Sequence, residues 1–307
     1  MKKIFVLIFS CLIIFSPVLF AAKTENIRIV TTTSTFASIT KEITGDAADI
    51  YFIASPKRDI HFIAPTPKDV MKLKKADVFI HAGLDLEAWR GPLLDAVGRL
   101  DLMWPTGERQ IDVSKGITLL EIPSSLSRAQ GDIHAYGNPH YWVDPVNALI
   151  VSRNIEEGLN RLYPEHAAEF QKNEKQFSEK LQAKIQEWDK RMMPYHGSWI
   201  VTYHRSWSYL AKHFGLEILG QLEPKPGIPP TSKHLAELMK EMKEKKAKVI
   251  IKESYNETRT ANRVAEETGS VVIDLAQSVG ESKEMPDYIQ MMESNITRLE
   301  NAFKKGN

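Results

Sequence analysis

The chain has 307 residues, 43% of them hydrophobic, and its 40 Lys and Arg nearly balance 39 Asp and Glu for a net charge of +1. That balance carries no electrostatic signature of a nucleic-acid or membrane-surface binder. The single cysteine, Cys11, lies in an apolar N-terminal run, so the mature chain is expected to have no disulfides, thiolate metal sites or cysteine nucleophiles.

Residues 1–22 read as a secretory signal. Lys2 and Lys3 precede the almost wholly apolar Ile4–Phe20, and Ala21-Ala22 supplies small residues before Lys23. Ser10, Ser16 and Pro17 interrupt the run and no second hydrophobic span follows, which favours a cleaved signal over a retained anchor. Phe9 and the apolar stretch beyond Cys11 do not suit a lipoprotein signal. About 285 residues remain for an extracytoplasmic mature protein, enough for two domains.

Asn26–Thr31 alternates and is rich in β-branched residues, as a strand does. Phe36–Ile43 follows a polar turn as a short helix, and Ala48–Ala54 is a second strand. This β-α-β order implies a parallel sheet, whose ligands bind beyond the carboxyl ends of the strands. The Ser55–Asp69 loop falls there, with His61 near its centre and Asp59 as either a partner for that ring or a surface charge. Thr66-Pro67 starts the next helix, which continues through Lys75. Asp77–Ala82 is a further strand, and His81 in it is read as a half-buried structural histidine in preference to a ligand. Ala82–Trp89 has the pattern of a helix start and Ile117–Ile122 that of a strand, whereas Pro123–Ala135, with Asp132 and His134, is polar and irregular.

Gly137-Asn138-Pro139-His140-Tyr141-Trp142-Val143-Asp144-Pro145 places a histidine between two prolines and beside aromatic rings. Each proline pushes the residue before it out of the helical region, so Asn138 and Asp144 are expected to be extended. His140 is then either a pre-formed ligand on stiff backbone or a partly buried histidine in a Pro-flanked turn. Asn147–Leu162 reads as a helix. Glu165–Met193 contains neither Gly nor Pro. Its apolar Ala167, Phe170, Phe177, Leu181, Ile185, Trp188 and Met192 are spaced as one buried helical stripe. At ~1.5 Å per residue this helix spans ~40 Å, a rigid spine between two lobes or a coiled-coil partner.

The second half repeats the grammar. Ser198–Tyr203 is a strand with His204 at its carboxyl end, followed by helix Ser206–Phe214 and strand Leu216–Leu219. Gln221–Pro230 is a stiff proline-rich loop, and Ser232–Lys246 a helix capped by Thr231. Strand Ala247–Lys252 ends at Glu253, helix Glu257–Thr268 closes at Gly269, strand Ser270–Ile273 ends at Asp274, and the last helix covers roughly 286–303. The expected organisation is a signal segment 1–22, an N-terminal α/β lobe 23–164, a linking helix 165–194 and a C-terminal α/β lobe 195–307. His61, His140, His204, Glu253 and Asp274 converge only if the two sheets face each other across a cleft.

The chain resembles the metal-specific substrate-binding proteins of bacterial ABC importers, which supply zinc or manganese. The resemblance rests on Asp59-x-His61-(x)3-Pro65-x-Pro67-x-Asp69, Asn138-Pro139-His140-x-Trp142-x-Asp144-Pro145 and Thr202-Tyr203-His204. Pro226-Gly227-Ile228 with Pro230 and Ser232, and the strand ends Glu253 and Asp274, add to it. It implies two α/β lobes joined by one long helix, metal held between them, and a permease as partner. Carried over by position, His61, His140, His204 and Asp274 are the metal ligands, with Glu253 in reserve for the fourth place. Ile60 stands where the family usually has proline, the acidic histidine-rich loop of many zinc members is reduced to Asp132 and His134, and Asp274 lacks the proline that often follows it.

Three imidazoles and one carboxylate suit tetrahedral Zn²⁺, whereas a Mn²⁺ site is expected to offer more oxygen. The expected protein is therefore a periplasmic or otherwise extracytoplasmic monomer that carries zinc, or manganese, without making or breaking bonds. The rival class is a secreted zinc hydrolase with Glu253 as base. It lacks a His-Glu-x-x-His pair, and four protein ligands would close the site. Adhesion, with the metal only structural, is a third reading.

Overall fold

The computed structural model describes residues 25–103, 105–125, 134–225 and 227–306, so the signal segment with Cys11, and Asp132, lie outside the described residues. Two four-stranded sheets carry the architecture. The first joins β1 (Ile27–Thr33), β2 (Ala48–Ala54), β3 (Val78–His81) and β4 (Gln110–Asp112) in the order β2-β1-β3-β4. The second joins β5 (Trp199–Thr202), β6 (Glu217–Gln221), β7 (Val249–Lys252) and β8 (Val271–Asp274) in the order β6-β5-β7-β8. Every strand pair is parallel, and the two orders are equivalent. In each sheet the strand order reverses beside the first strand, which leaves a crevice at its carboxyl end. β5 and β7 flank that crevice in the second sheet, and His204 and Glu253 lie just beyond them.

The helices are α1 (Ser34–Thr44), α2 (Pro67–Lys74), α3 (Arg90–Val97), α4 (Pro145–Leu162), α5 (Ala167–Met192), α6 (Ser208–His213), α7 (Ser232–Lys245), α8 (Thr258–Thr268) and α9 (Tyr288–Gly306). Their starts follow local chemistry. Thr66 and Asp69 form a reciprocal capping box at α2 with Pro67 in its first turn, and Asp144 caps α4 from extended backbone, as the following Pro145 requires.

Two expected elements differ. The helix anticipated from Ala82 begins only at Arg90, because the Glu87 carboxylate accepts the Ala82 N–H and draws the segment into a tight turn, with Leu84 and Asp85 at φ 53 and 57. No strand forms at 117–122: the Leu120 N–H is donated to the Tyr209 hydroxyl and its carbonyl accepts from Asn138. The fourth strand is instead the three-residue β4.

One continuous apolar cluster runs through the inner face of both sheets, α1, α4, α5 and α9. Smaller clusters lie under α2 and α3 on the outside of the first sheet, and under α7 and α8 on the outside of the second. The spine helix α5 buries Phe170, Phe177, Leu181, Ile185, Trp188 and Met192, the stripe anticipated from the spacing except for Ala167. It is also tied to α9 by Glu293, which pairs with Arg191 and Lys184 (2.5 and 2.7 Å) and accepts from the Trp188 indole at 3.0 Å.

Partial burial would raise the Glu293 pKa, but the bonds from Lys184, Arg191 and Trp188 outweigh it and hold the carboxyl down to about 2. A depressed carboxylate contributes stability that is present above its unfolded value, near 4.5, and is lost as pH falls through about 2. Glu293→Gln is expected to lower stability at neutral pH by roughly 1–2 kcal/mol. In urea unfolding the gap between wild type and variant should close across that acid window; a gap independent of pH would remove the ionic origin.

Candidate metal centre

His61, His140 and His204 come from three separate segments, yet their ligand atoms lie within 4.8 Å of one another. His61 sits in a single 3-10 turn, Ile60–Phe62. Asp59 caps it, accepting the His61 backbone N–H at 2.9 Å and the ring Nδ1–H at 2.7 Å. Asp59 is therefore the ring's partner and not a surface charge. Ile60, in the place of the usual proline, fixes this loop by packing: its side chain is buried and its carbonyl accepts the Trp89 indole N–H at 2.8 Å.

His140 is held by the same local device. The Asn138 side-chain oxygen accepts its backbone N–H at 2.9 Å and its Nδ1–H at 3.0 Å, while the Asn138 amide nitrogen donates to Glu121 and to the Arg205 carbonyl. His140 is 1% exposed, and its Nε2 has no hydrogen-bond partner among the described residues. His204 leaves β5 on extended backbone, and its Nδ1–H is donated to Glu223 at 2.7 Å. With all three Nδ1 atoms occupied, each ring is fixed in the tautomer that turns a lone pair on Nε2 toward the others.

A fourth imidazole lies beside them, against His61, outside the set whose ligand atoms are all within 4.8 Å of one another. His134 Nε2 is 3.1 Å from His61 Nε2, and its ring centre is 5.1 Å from that of His61 and 5.9 Å from that of His140. Burial, reinforced by the neighbouring His61 and His204, drops the His134 pKa to about 3 and puts that of His140 well below its ordinary value. Burial also opposes charge on His204, but Glu223 and Glu253 outweigh it and raise its pKa. A cavity of about 530 Å³ adjoins the cluster, lined in part by His134, His140, His204, Asn138, Glu121 and Arg205. The arrangement offers imidazole lone pairs inside a ring of acceptors (Asp59, Glu223 and the buried Glu253), a setting for a cation.

Neither of the two carboxylates weighed for the fourth place is in the clustered set. Asp274, at the end of β8, is 46% exposed and ion-paired with Lys252 at 2.7 Å, and it is not among the clustered groups. Glu253 is buried beside His204, with one oxygen accepting from Gln277 at 2.7 Å, the other without a hydrogen-bond partner among the described residues, and burial raising its pKa. His81 is structural: buried, it donates to Gln110 at 2.6 Å and meets Arg90 through its other ring nitrogen. His134 and Glu223 escaped the sequence reading as site residues. His134 is a remnant of an irregular loop, and Glu223 lies 19 positions from the ring it holds.

Two parallel-sheet lobes on a long helix, with histidines gathered between them, define a substrate-binding protein of the metal-importing type. The sequence from 29 to 302 matches the ZnuA family, the periplasmic component A of a zinc-uptake complex, and the chain belongs to it. Membership places it outside the cytoplasm. Among curated relatives, the iron-binding protein YfeA of Yersinia pestis is 29% identical over 91% of this chain and 87% of its own. The zinc uptake protein ZnuA of Bacillus subtilis is 27% identical over 92% and 89%. The zinc-binding lipoprotein AdcA of Streptococcus pneumoniae is 28% identical over 97% of this chain but only 60% of its own length. A crystal structure of ZnuA superposes with TM-score 0.75 at 21% identity, covering 91% of this chain and 99% of that one. A Mn-bound periplasmic metal-binding protein of Candidatus Liberibacter asiaticus superposes with TM-score 0.74 at 24% identity, covering 90% and 99%.

Proposed function

We propose that this protein captures one divalent metal ion, zinc in preference to manganese, on the Nε2 atoms of His61, His140 and His204 and delivers it to an ABC permease. The observation that carries this reading is the Nε2 of His140, buried without a partner among the described residues and facing two other rings whose Nδ1 atoms are likewise tied back. A buried polar atom without a partner costs about 1–3 kcal/mol, and a metal ion removes that cost. We assign the fourth ligand to His134 rather than Asp274, which is engaged with Lys252. An all-imidazole set favours borderline-soft Zn²⁺ over oxygen-seeking Mn²⁺.

The hydrolase reading needs an open metal position and a base beside it; a fourth imidazole at the site fills that position, and one Glu253 oxygen is taken by Gln277. As a carrier the protein makes and breaks no bond in its cargo and acts as a monomer. The continuous core through both lobes supports a small shape change on loading.

Calorimetric titration of the metal-stripped mature protein tests this. One tight Zn²⁺ site per chain is expected, with Mn²⁺ much weaker. His134→Ala should lower zinc affinity by about tenfold or more, whereas Asp274→Ala should leave it within a few-fold. The reverse order would restore Asp274 as the fourth ligand, tighter Mn²⁺ would reassign the cargo, and no tight site for either would overturn the reading.

A further inference from the structure

The three clustered histidines are not held in the same way. His61 and His140 are each fixed by a residue two positions earlier, Asp59 and Asn138, whose oxygen accepts both the backbone N–H and the ring Nδ1–H of the histidine. Those two rings are oriented within their own turns. His204 has no such cap; its ring is held by a residue from another loop, Glu223, which follows β6.

Glu223 is itself placed from two sides. Its backbone N–H is donated to the Tyr203 carbonyl at 3.0 Å, which sets it beside His204 at the end of the sheet. One carboxylate oxygen accepts the His204 Nδ1–H at 2.7 Å, and the other accepts the Gly227 backbone N–H at 2.8 Å. Gly227 lies in a tight turn closed by a 2.9 Å bond from Ile228 N–H to the Lys225 carbonyl, and its φ of +74 is one that a side chain would oppose. The carboxylate is 17% exposed, shielded enough for both bonds to count. The turn bears Ile228, 39% exposed, on the surface.

We propose that Glu223 is a positioning residue for metal capture that joins His204 to the backbone at Gly227, so that metal binding tightens the hold on the Gly227 N–H and that hold in turn tightens the metal. The proposal rests on His204 being a metal ligand. A metal ion on Nε2 draws electron density from the imidazole and makes Nδ1–H a stronger donor, which tightens the bond to Glu223. A firmer carboxylate then holds the Gly227 N–H more firmly. Asp59 and Asn138 instead use the accepting oxygen on the backbone and ring of their own histidine. Removing Glu223 leaves His204 without an acceptor for Nδ1–H and lets its ring turn to the wrong tautomer.

The test compares wild type, Glu223→Gln, Glu223→Ala and His204→Ala as full mature chains. Zinc affinity is measured by competition with a chromogenic chelator, and the Gly227 amide is followed by NMR hydrogen exchange with and without Zn²⁺. Glu223→Ala should weaken zinc about 10–100-fold and abolish the zinc-dependent protection of Gly227. Glu223→Gln keeps an acceptor oxygen and should recover part of both. Wild-type affinity in Glu223→Ala, or zinc-dependent protection of Gly227 that survives it, would overturn the proposal. Unchanged zinc binding in His204→Ala would instead remove the ligand assignment beneath it. The amide spectrum of each metal-free variant separates misfolding from loss of the link, and Glu223→Gln decides if Glu223→Ala fails to fold.

Discussion

His140→Ala is expected to lose zinc affinity by about a hundred- to a thousandfold. Apparent binding energies for four-ligand structural zinc are about 10–16 kcal/mol, so one ligand carries about 2.5–4 kcal/mol. His140 stands at the upper end because its position is made in advance. Asn138 sets both its backbone and its tautomer, and its Nε2 has no hydrogen-bond partner among the described residues. Thermal unfolding gives a direct readout. Zinc at a thousand times its dissociation constant stabilises the folded chain by about 4 kcal/mol, and at the dissociation constant by only ~0.4 kcal/mol. For a chain of this size that is an upward shift in Tm of roughly 8–16 °C in wild type, reduced to ~1–2 °C in the variant at the same zinc concentration. The metal-free Tm should fall far less than the zinc-dependent part, because truncation removes an unpaired polar atom as well as packing. Equal zinc-dependent shifts in the two proteins would remove His140 from the ligand set.

The fold and the three clustered histidines were legible because each depends on short-range chemistry. The repeated strand–helix order, the spine stripe at Phe170, Phe177, Leu181, Ile185, Trp188 and Met192, and the cap at Thr231 are written in neighbouring residues. Asp59 and Asn138 sit two positions before the rings they hold, inside the motifs that drew attention to those rings. What was not legible depends on tertiary placement. β4 is three residues long and takes its pairing from β3, so no periodicity could announce it. The apolar, partly β-branched 117–122 segment has the composition of a strand, but the Leu120 backbone groups are engaged by Tyr209 and Asn138. Asp274 ends its strand in the position that the resemblance assigns to a ligand, and only the fold shows Lys252 lying against it. His134 and Glu223 belong to loops whose course the sequence does not dictate.

Trp142→Ala is expected to cost about 3–5 kcal/mol, the largest stability loss among the site-adjacent residues, and to weaken zinc as well. The indole is 2% exposed, meets Phe36 of α1 edge to face at 5.8 Å and lies 5.7 Å from the His140 ring. Its N–H is donated at 2.8 Å to the Gln277 carbonyl, beyond β8, and its backbone carbonyl accepts the Tyr288 hydroxyl of α9 at 2.7 Å. Thr35 donates to the same Gln277 carbonyl at 3.2 Å. One side chain thus joins the first sheet's helix, the histidine motif and the loop that bonds Glu253. Removing it opens a cavity where those three meet, so His140 loses a wall and Gln277 a tether. Trp142→Phe keeps most of the ring, and Thr35 still satisfies the Gln277 carbonyl, so it should cost about 1–2 kcal/mol and leave zinc affinity near wild type. Urea unfolding and zinc competition on the two variants distinguish two sources of rigidity. If Trp142→Ala is destabilised but binds zinc as wild type does, the site is held by the local Asn138 and Asp59 turns alone. If both fall together, the packing between the lobes is what keeps three histidines from distant parts of the chain close enough to share one ion.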